Sequence, residues 1–241
     1  ALNSRLFAFG GQNLDYKALC DTEVYDCLRD EWLVGPELNI ARRNCTGASM
    51  ENRVFSIGGF DGSSILSAVE AYDPRMKNWM ELPPMATARS SATACVNKGN
   101  LFVLGGSSGQ RLSTVEMYDP VANKWTSMDA KMAEARSASA SVSLLGKVYA
   151  MGGTNNEQQV HSSVECLEED HWIYRSACQS ARMDLGACAV ADATILVGGG
   201  QSGTGTVLNQ TELYYPELNQ WQSAPAMLIP RYGHAHLSVS L

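Results

Sequence analysis

The sequence has no long hydrophobic run and no excess of positive charge. No apolar stretch in the 241 residues approaches the roughly 18 residues that a membrane-spanning helix needs. Lysine and arginine number 18 against 25 aspartates and glutamates, which gives a formal net charge of −7. This balance argues against nucleic acid and anionic membrane as general partners. We therefore expect a protein that binds neither nucleic acid nor membrane.

The chain also lacks a C-x-x-C pair and the pattern of a secretory signal peptide. Its cysteines number seven, an odd count, and several stand beside small apolar residues in predicted strands. We expect free, mostly buried thiols in a reducing compartment. The sequence therefore predicts a cytoplasmic protein.

Catalytic signatures are missing as well. The chain contains no H-E-x-x-H or P-loop pattern. The strings G-x-S-x-G at residues 105–109 and G-x-G-x-x-G at residues 198–203 coincide with the repeated glycines, and no predicted helix follows either of them, as a catalytic or nucleotide-binding motif would require. Of the four histidines, only His234 and His236 lie on one face of a predicted strand, and two ligands are too few for a metal site. We therefore expect no enzymatic activity, no metal and no cofactor.

The sequence contains five copies of one repeat, and we call each copy a unit. Each unit holds a glycine pair and one of the five tryptophans, and successive copies are 46 to 49 residues apart. Self-similarity at this period is typical of a propeller or a solenoid. The glycine pairs begin at Gly10, Gly58, Gly105, Gly152 and Gly198. The tryptophans are Trp32, Trp79, Trp125, Trp172 and Trp221.

The complete units show the same order of strand signals. A strand of small residues is followed by a β-branched and aromatic strand that ends at the glycine pair, and a hairpin comes next. The hairpin turn carries Asp-Pro at Asp73-Pro74 and Asp119-Pro120. A glutamate recurs in the third strand, where a carboxylate in an apolar strand must be paired or exposed. We expect it to accept hydrogen bonds from backbone or from an arginine. The glutamates are Glu23, Glu70, Glu116, Glu165 and Glu212.

The first unit lacks its opening strand, and the far end of the chain supplies a match. The segment Arg231–Val239 resembles the stretch that opens every other unit. Pairing of this segment with Arg5–Phe9 would remove the open sheet edges that invite aggregation. We therefore predict an all-β fold: a closed β-propeller of five four-stranded blades, the first completed by the C-terminal strand, forming one domain over residues 1–241.

The glycine pair, the Glu-x-Tyr strand and the tryptophan at this spacing resemble the kelch repeat over the whole chain. The fourth unit departs, with Leu167 in place of the tyrosine. Most kelch propellers have six or seven blades, so the count of five also departs from the resemblance. The loss of an upstream blade is left open.

Arginines precede the strand of small residues and have two interpretations. Each could tie one blade to the next through a carboxylate. Alternatively, the resemblance to kelch substrate adaptors implies that they grip acidic peptides at one mouth of the ring, since guanidinium groups suit carboxylate or phosphate recognition. The arginines are Arg43, Arg89, Arg136, Arg182 and Arg231.

The loops after the glycine pairs vary in length and character, as binding loops on a rigid scaffold do. We expect their polar tips to contact a partner, although solvated loop is the simpler interpretation of any single residue. The candidates are Tyr16, Asp61, Ser63, Ser64, Gln110, Arg111, Asn155, Asn156, Gln201 and Ser202.

The resemblance implies a function as well as a fold. It predicts the substrate-recognition domain of a BTB-kelch adaptor, which would hold a short acidic or phosphorylated segment of a client protein. The adaptor would reach a cullin-RING ubiquitin ligase through an N-terminal module outside this sequence. The alternatives are an actin-binding kelch protein and a metal- or sugar-dependent propeller enzyme.

Overall fold

The computed structural model describes residues 1–190 and 193–235. These residues form nineteen β-strands in five antiparallel sheets, and none of them lies in a helix. Accordingly, the described residues include no helix that could cross a membrane. The five sheets are arranged as the blades of a propeller, which confirms the predicted fold class.

Each sheet is a meander in which consecutive strands pair. The first sheet contains β1 (Arg5–Phe9), β2 (Thr22–Asp26) and β3 (Glu31–Val34). The second contains β4 (Thr46–Met50), β5 (Arg53–Ile57), β6 (Val69–Asp73) and β7 (Asn78–Leu82). The third contains β8 (Thr93–Asn97), β9 (Asn100–Leu104), β10 (Val115–Asp119) and β11 (Lys124–Ser127). The fourth contains β12 (Ala140–Leu144), β13 (Lys147–Met151), β14 (Val164–Glu168) and β15 (His171–Arg175). The fifth contains β16 (Gly186–Val190), β17 (Thr194–Gly198), β18 (Thr211–Tyr215) and β19 (Gln220–Ala224).

The hydrophobic core lies between neighbouring sheets. Phe55 and Ile57 of the second sheet pack in one buried cluster with Leu101, Val103 and Tyr118 of the third. Small side chains on the innermost strands allow the sheets to converge there. Each tryptophan of the second, third and fifth sheets also donates its indole N–H to a backbone carbonyl of the linker before its sheet.

The strands of small residues begin later than the sequence predicts. The pattern places strand starts near Ser91 and Ser137, whereas β8 begins at Thr93 and β12 at Ala140. Ser91 and Ala138 have positive φ values of 51° and 54°, which a strand does not accept. Their N–H groups bond to the preceding linker instead.

The fifth glycine pair is Gly199-Gly200, so the assignment to Gly198 is wrong by one residue. Gly199 and Gly200 have φ values of 62° and 93°, matching 64° and 90° at Gly152 and Gly153. Gly198 is the last residue of β17. A Cβ at Gly199 would lie 2.5 Å from the carbonyl oxygen of Arg231, which explains why only glycine fits there.

The predicted closing strand, Arg231–Val239, lies partly outside the described residues, because the description stops at residue 235. Its described part, residues 231–235, contains no strand. Within the described residues, the first sheet has three strands and the other four sheets have four.

Candidate functional site

One face of the propeller collects two kinds of segment, and we call this face the mouth. It comprises the loops that follow the glycine pairs and the linkers that enter each innermost strand. Isolated bridges join a linker to a loop at four places: Arg43–Phe60, Ser90–Ser107, Ser137–Thr154 and Met183–Gln201. Each of these linkers is therefore fixed to the loop of the blade that it enters.

Beneath the mouth, an arginine in each of four units is buried and paired with the recurring glutamate. We call each such pair, with its backbone hydrogen bonds, a lock. The Arg89 side chain donates to the backbone oxygens of Gly105 and Thr114 and to the carboxylate of Glu116, at 2.9 to 3.2 Å. The same carboxylate accepts the backbone N–H groups of Ala86 and Thr87 at 2.7 and 3.1 Å. Each lock therefore fixes a linker on the following blade. The buried pairs are Arg42–Glu70, Arg89–Glu116, Arg136–Glu165 and Arg182–Glu212.

These locks confirm that the recurring glutamate accepts hydrogen bonds from backbone and arginine in four units. They also correct the assignment of Arg89, Arg136 and Arg182 as ligand-binding residues. All three are at most 1% exposed, and their guanidinium groups are engaged by carboxylate and carbonyl oxygens. An external peptide cannot reach guanidinium groups that are enclosed in this way, and this includes the Nε of Arg136, which has no acceptor.

In the second unit the lock belongs to Arg42 and not to Arg43. Arg42 is fully buried and reaches the carbonyl of Gly58, sixteen residues ahead. Arg89 and Arg136 reach their glycine carbonyls over the same separation. Arg43 is consequently released from the lock and lies in the mouth.

Arg43 is the center of a cluster in the first two loops. Its Nη1 donates to the Gln12 side chain at 2.7 Å and to the Tyr16 carbonyl at 3.0 Å. Its guanidinium carbon lies 5.1 Å from the centroid of the Phe60 ring, within the range of a cation–π contact. Its Nε is buried without a hydrogen-bond partner, whereas its Nη2 is not buried and has no acceptor among the described residues. The guanidinium is thus held in place, and Nη2 remains available to a partner.

Next to this cluster the first loop exposes two large side chains. Tyr16 is 71% exposed and Leu14 is 98% exposed. Both line a depression with Gln12 and Asn13. Tyr16 takes a φ of 61°, an uncommon conformation for an aromatic residue. An amphipathic aromatic on a fixed loop is a typical contact residue.

Several of the predicted contact residues form hydrogen bonds within their own loops. The Asp61 carboxylate accepts the N–H groups of Ser63 and Ser64 at 2.6 and 2.7 Å, and these bonds hold its pKa below the usual range. Asn155 accepts two backbone N–H groups of its own loop. Ser202 accepts the N–H of Thr206. Such turns pre-organise a loop before a partner arrives.

Arg111 and Asn156 connect neighbouring loops. The Asn156 side chain accepts the N–H of Arg111 at 2.8 Å, and Arg111 Nε is buried without a partner. Among the described residues, neither Arg43 nor Arg111 forms an ion pair with a carboxylate. The remaining predicted contact residues lie at the mouth, either exposed or half-buried: Ser63, Ser64, Gln110 and Gln201.

Arg231 differs from the other recurring arginines. Its side chain is exposed, and its Nε reaches only the Ile229 carbonyl at 3.5 Å. Its equivalent glutamate, Glu23, is exposed too. This fifth pair is not formed in the described residues.

Sequence reasoning missed a series of backbone bonds around the mouth. Four N–H groups each donate to the carbonyl of the equivalent residue in the preceding linker, at 2.8 to 2.9 Å. The donors are Ser91, Ala138, Asp184 and Gly233, and Asn44 is the first acceptor. All five have positive φ, between 51° and 62°. They share no residue type, but each lies two residues after an arginine of the repeat, and this position is the signal that could have located them.

The channel below the mouth has a volume of about 820 Å³ and is lined mainly by alanine, serine, threonine and valine. Burial raises the pKa of Cys95 to about 12 and raises the pKa of Cys45 and Cys188 as well. These thiols therefore stay protonated and unreactive near neutral pH. His234 lines the channel, while His236 lies outside the described residues. The described residues hold no cluster of three or more metal-ligating side chains.

Comparison with known families identifies the repeat. A family model described as the KLHDC2/KLHL20/DRC7 Kelch-repeats domain matches residues 1–153. A Kelch motif model matches residues 135–174. The first match covers more than half of the 241 residues.

Individual relatives share shorter stretches. Beta-scruin of Limulus polyphemus is 32% identical over 98 residues, 37% of this chain and 11% of that protein. Kelch-like protein 8 of Mus musculus is 33% identical over 64 residues, 27% of this chain and 10% of that protein. The matches therefore span about a tenth of the length of these relatives.

A solved structure supports the fold at a greater distance. The structure of YjhT superimposes with a TM-score of 0.81 over 93% of this chain and 82% of that chain, at 14% sequence identity. At that identity the match supports the fold alone. The match of the Kelch-repeats family model to residues 1–153 shows that the chain belongs to the kelch-repeat family of β-propellers.

Proposed function

We propose that the mouth binds a short acidic or phosphorylated segment of a client protein. Kelch domains are typical protein-interaction modules, and this chain has the fold of one. The proposed role is recognition without catalysis, and it needs neither metal nor cofactor.

One observation carries the proposal: two mouth arginines are positioned by the fold yet lack a carboxylate partner. Arg43 is held by Gln12 and Phe60, and Arg111 is held through its N–H by Asn156. Among the described residues, Nη2 of Arg43 and both Nη atoms of Arg111 have no hydrogen-bond acceptor, and none of these atoms is buried. A carboxylate or phosphate from a partner would satisfy these donors, and charge-assisted bonds of this kind are strong.

The neighbouring apolar surface suggests the rest of the motif. Leu14 and Tyr16 are exposed beside Arg43, so a client segment with an apolar residue next to its acidic residue would bury them. Aromatic and arginine side chains contribute disproportionately to protein interfaces. The loops are pre-organised by their own hydrogen bonds, which reduces the entropic cost of binding.

At the level of the whole protein, we infer a BTB-kelch adaptor that delivers the client to a cullin-RING ubiquitin ligase in the cytoplasm. The stretch shared with kelch-like protein 8 supports this role. The seven free thiols fit a reducing compartment.

The test measures peptide binding to the purified chain by fluorescence anisotropy. The probes are labelled twelve-residue peptides that combine leucine with zero to four glutamates, and a matching phosphoserine set. We expect affinity to rise with the number of acidic groups, and to fall at least about tenfold in Arg43→Ala plus Arg111→Ala, since two charge-assisted bonds are lost.

The matched control removes two exposed arginines at the opposite ends of the strands. Arg29→Ala plus Arg75→Ala changes the net charge equally, and both side chains are more than two-thirds exposed. An equal loss of peptide affinity in both double variants would show that only the net charge matters, and would contradict a specific site. No binding by any acidic peptide would contradict the proposal as well.

The cytoskeletal alternative draws on the stretch shared with beta-scruin. Co-sedimentation with actin filaments separates the two functions. Stoichiometric pelleting that survives Arg43→Ala plus Arg111→Ala would favour actin binding by another surface. Bound copper or iron in the purified chain would instead favour the enzyme alternative.

A further inference from the structure

One position at the mouth carries a charge that the fold does not need. Asp184 belongs to the series of backbone bonds around the mouth: its N–H donates to the Ala138 carbonyl at 2.8 Å, and its own carbonyl accepts from Gly233 at 2.9 Å. The equivalent residues in the other linkers are asparagine, serine, alanine and glycine. Because only backbone atoms form these bonds, the series does not require a carboxylate at residue 184.

The Asp184 carboxylate is half-buried and has no partner. In the part of the chain that the structure describes, no hydrogen bond or ion pair reaches its oxygens. The next residue, Leu185, lines the channel, so Asp184 lies where the mouth meets the channel. Burial raises the pKa of Asp184, because a carboxylate that is withdrawn from water is harder to ionise.

This carboxylate lowers the stability of the folded chain at neutral pH. Since its pKa is raised on folding, the folded chain binds the proton more tightly than the unfolded chain does. The stability from this group is therefore present at low pH and is lost as the pH rises through the folded pKa. A residue that opposes folding, at a position where four other residue types are accepted, is typical of a functional site.

A second group without a partner lies at the same junction. Met183 and Gln201 exchange backbone bonds of 3.0 and 2.8 Å, which fixes the fifth loop beside Asp184. The Gln201 side chain donates its Nε2 to the Gly205 carbonyl at 3.1 Å, and its Oε1 accepts no hydrogen bond from any described residue. Asp184 and Gln201 therefore both offer oxygen atoms that lack a donor.

The mouth is thus divided by charge. Arg43 and Arg111 offer unfilled donors on the side of the first three units, whereas the junction of the fourth linker with the fifth loop offers unfilled acceptors. Arg43 directly precedes Asn44, the first member of the series, and Asp184 is the fourth member. A segment that reaches both groups must therefore cross the mouth.

A basic side chain fits these acceptors better than a metal ion does. Calcium takes roughly six to eight oxygen ligands, and the described residues hold no cluster of three or more metal-ligating side chains. A lysine ammonium donates up to about three hydrogen bonds. Its methylene stem can be buried against apolar surface, which Met183 and Leu185 provide on either side of Asp184.

We propose that Asp184 and the amide oxygen of Gln201 bind a lysine side chain of the client. This inference rests on the function proposed above, and it adds a basic residue to the acidic segment. The ammonium would donate to both residues and would supply the counter-ion that the carboxylate lacks. The mouth would then prefer segments that carry an acidic and a basic residue at a fixed spacing.

The test adds one lysine to the acidic peptide that binds best in the anisotropy series. The lysine stands about two to six residues from the acidic cluster, on either side, and each peptide is compared with one that carries norleucine, which lacks the ammonium. We expect one spacing at which lysine raises the affinity at least about fivefold. In Asp184→Asn this gain should fall below about twofold, while the affinity for the norleucine peptide does not fall.

The stability of the same variant separates binding from a structural role. Asparagine holds the equivalent position in the second unit, and Asn44 and Asp184 share a φ of 52°, so Asp184→Asn keeps a backbone that this fold accepts. We expect a thermal midpoint at pH 7 that is higher than that of the parent chain or within about 2 °C of it. A larger fall would show that Asp184 supports the fold, and would overturn the proposal.

Glu157→Gln is the matched control, because it removes the same charge from an exposed position of the fourth loop. An equal loss of the lysine gain in both variants would show that only the net charge matters, and would contradict a site at Asp184. Binding of acidic peptides without a preference for lysine at any spacing would contradict this inference alone. Failure of every acidic peptide to bind would contradict the proposed function as well.

Discussion

At the scale of single residues, two adjacent arginines of this propeller have different roles. Arg42 is buried and paired with Glu70, while Arg43 lies in the mouth with a free Nε. Burying an ion pair costs the hydration energy of both charges. Their mutual attraction can offset that cost only when the remaining donors and acceptors of both groups also form hydrogen bonds. The five N–H groups of Arg89 meet that condition, because all of them find acceptors.

Glu116→Gln tests the lock directly. The substitution keeps the shape but leaves the buried Arg89 charge without its counter-ion, so we expect a loss of about 3 kcal/mol in the free energy of unfolding. In a chain of this size that loss lowers the thermal midpoint by about 10 °C. Circular dichroism during heating measures it.

The equivalent substitution in the first unit, Glu23→Gln, is the control. Glu23 is exposed, and we expect a midpoint within about 2 °C of the parent chain, since exposed carboxylates contribute little. A midpoint for Glu116→Gln within that same range would refute a stabilising role for the lock.

Sequence reasoning predicted the glutamates of these locks but chose the wrong arginine in one unit. The pattern offers two adjacent arginines, and a period that varies by one to three residues cannot choose between them. The separation from arginine to glycine carbonyl is sixteen residues in three units and seventeen in the fifth sheet, which favours Arg42 over Arg43. For Arg89, Arg136 and Arg182 the sequence allowed both a contact between blades and a ligand site. It could not choose between them, because the chemistry that suits a ligand also suits a lock.

At the scale of elements, the glycine pairs determine where the mouth begins. The first glycine of each pair lies against the backbone of the next linker, so it fixes the distance between loop and linker. A Cβ at Gly105 would meet the Arg136 carbonyl at 2.3 Å. Neither atom has room to move, because Gly106 N–H already binds that carbonyl.

Gly105→Ala should therefore lower the free energy of unfolding by more than the strain of a positive φ alone would. We expect a loss of at least about 3 kcal/mol, compared with about 1 kcal/mol for Gly99→Ala in the same sheet. Gly99 has a φ of 79° and open space at its Cβ, so it isolates the conformational term. Urea unfolding measures both, and equal losses would show that the close approach is unimportant.

The order of strands could be predicted from sequence because turns and apolar runs repeat with the period. The first residues of the strands could not be predicted. Residues such as Ser91 and Ala138 look like strand residues, but they take positive φ values and donate to the preceding linker at the mouth. Their conformation follows from contacts between blades, which no local pattern encodes. Tyr16 was among the predicted loop contacts, whereas Leu14 was not, because its exposure depends on the shape of the loop.

At the scale of the whole molecule, the linkers join each blade to the next. A histidine at one of these junctions makes the stability of the fold depend on pH. His161 lies in the loop of the fourth unit, where its N–H donates to Gly153 and its carbonyl accepts from Arg182. Its Nε2 is buried without a hydrogen bond, 3.8 Å from a Glu134 oxygen. That distance is too long for a hydrogen bond.

The surroundings of His161 favour its neutral form. Burial is the main cause and the Arg136 charge adds to it, while Glu134, Glu165 and the Ala135 backbone oppose it, so the pKa lies below its usual 6.5. The unfolded chain therefore binds a proton at a higher pH than the folded chain does. Stability from this group is complete above about pH 6.5 and declines as the pH falls toward the folded pKa.

We expect the midpoint of urea unfolding to fall between pH 7 and pH 5, and the fall to be smaller in His161→Gln. The carboxylates of Asp26, Asp73 and Glu168, whose pKa values are lowered by hydrogen bonds and neighbouring cations, should produce a separate loss below about pH 4 in both chains. His171→Gln, at an exposed position, is the control. An identical decline in all three chains between pH 7 and pH 5 would rule out His161 as its source.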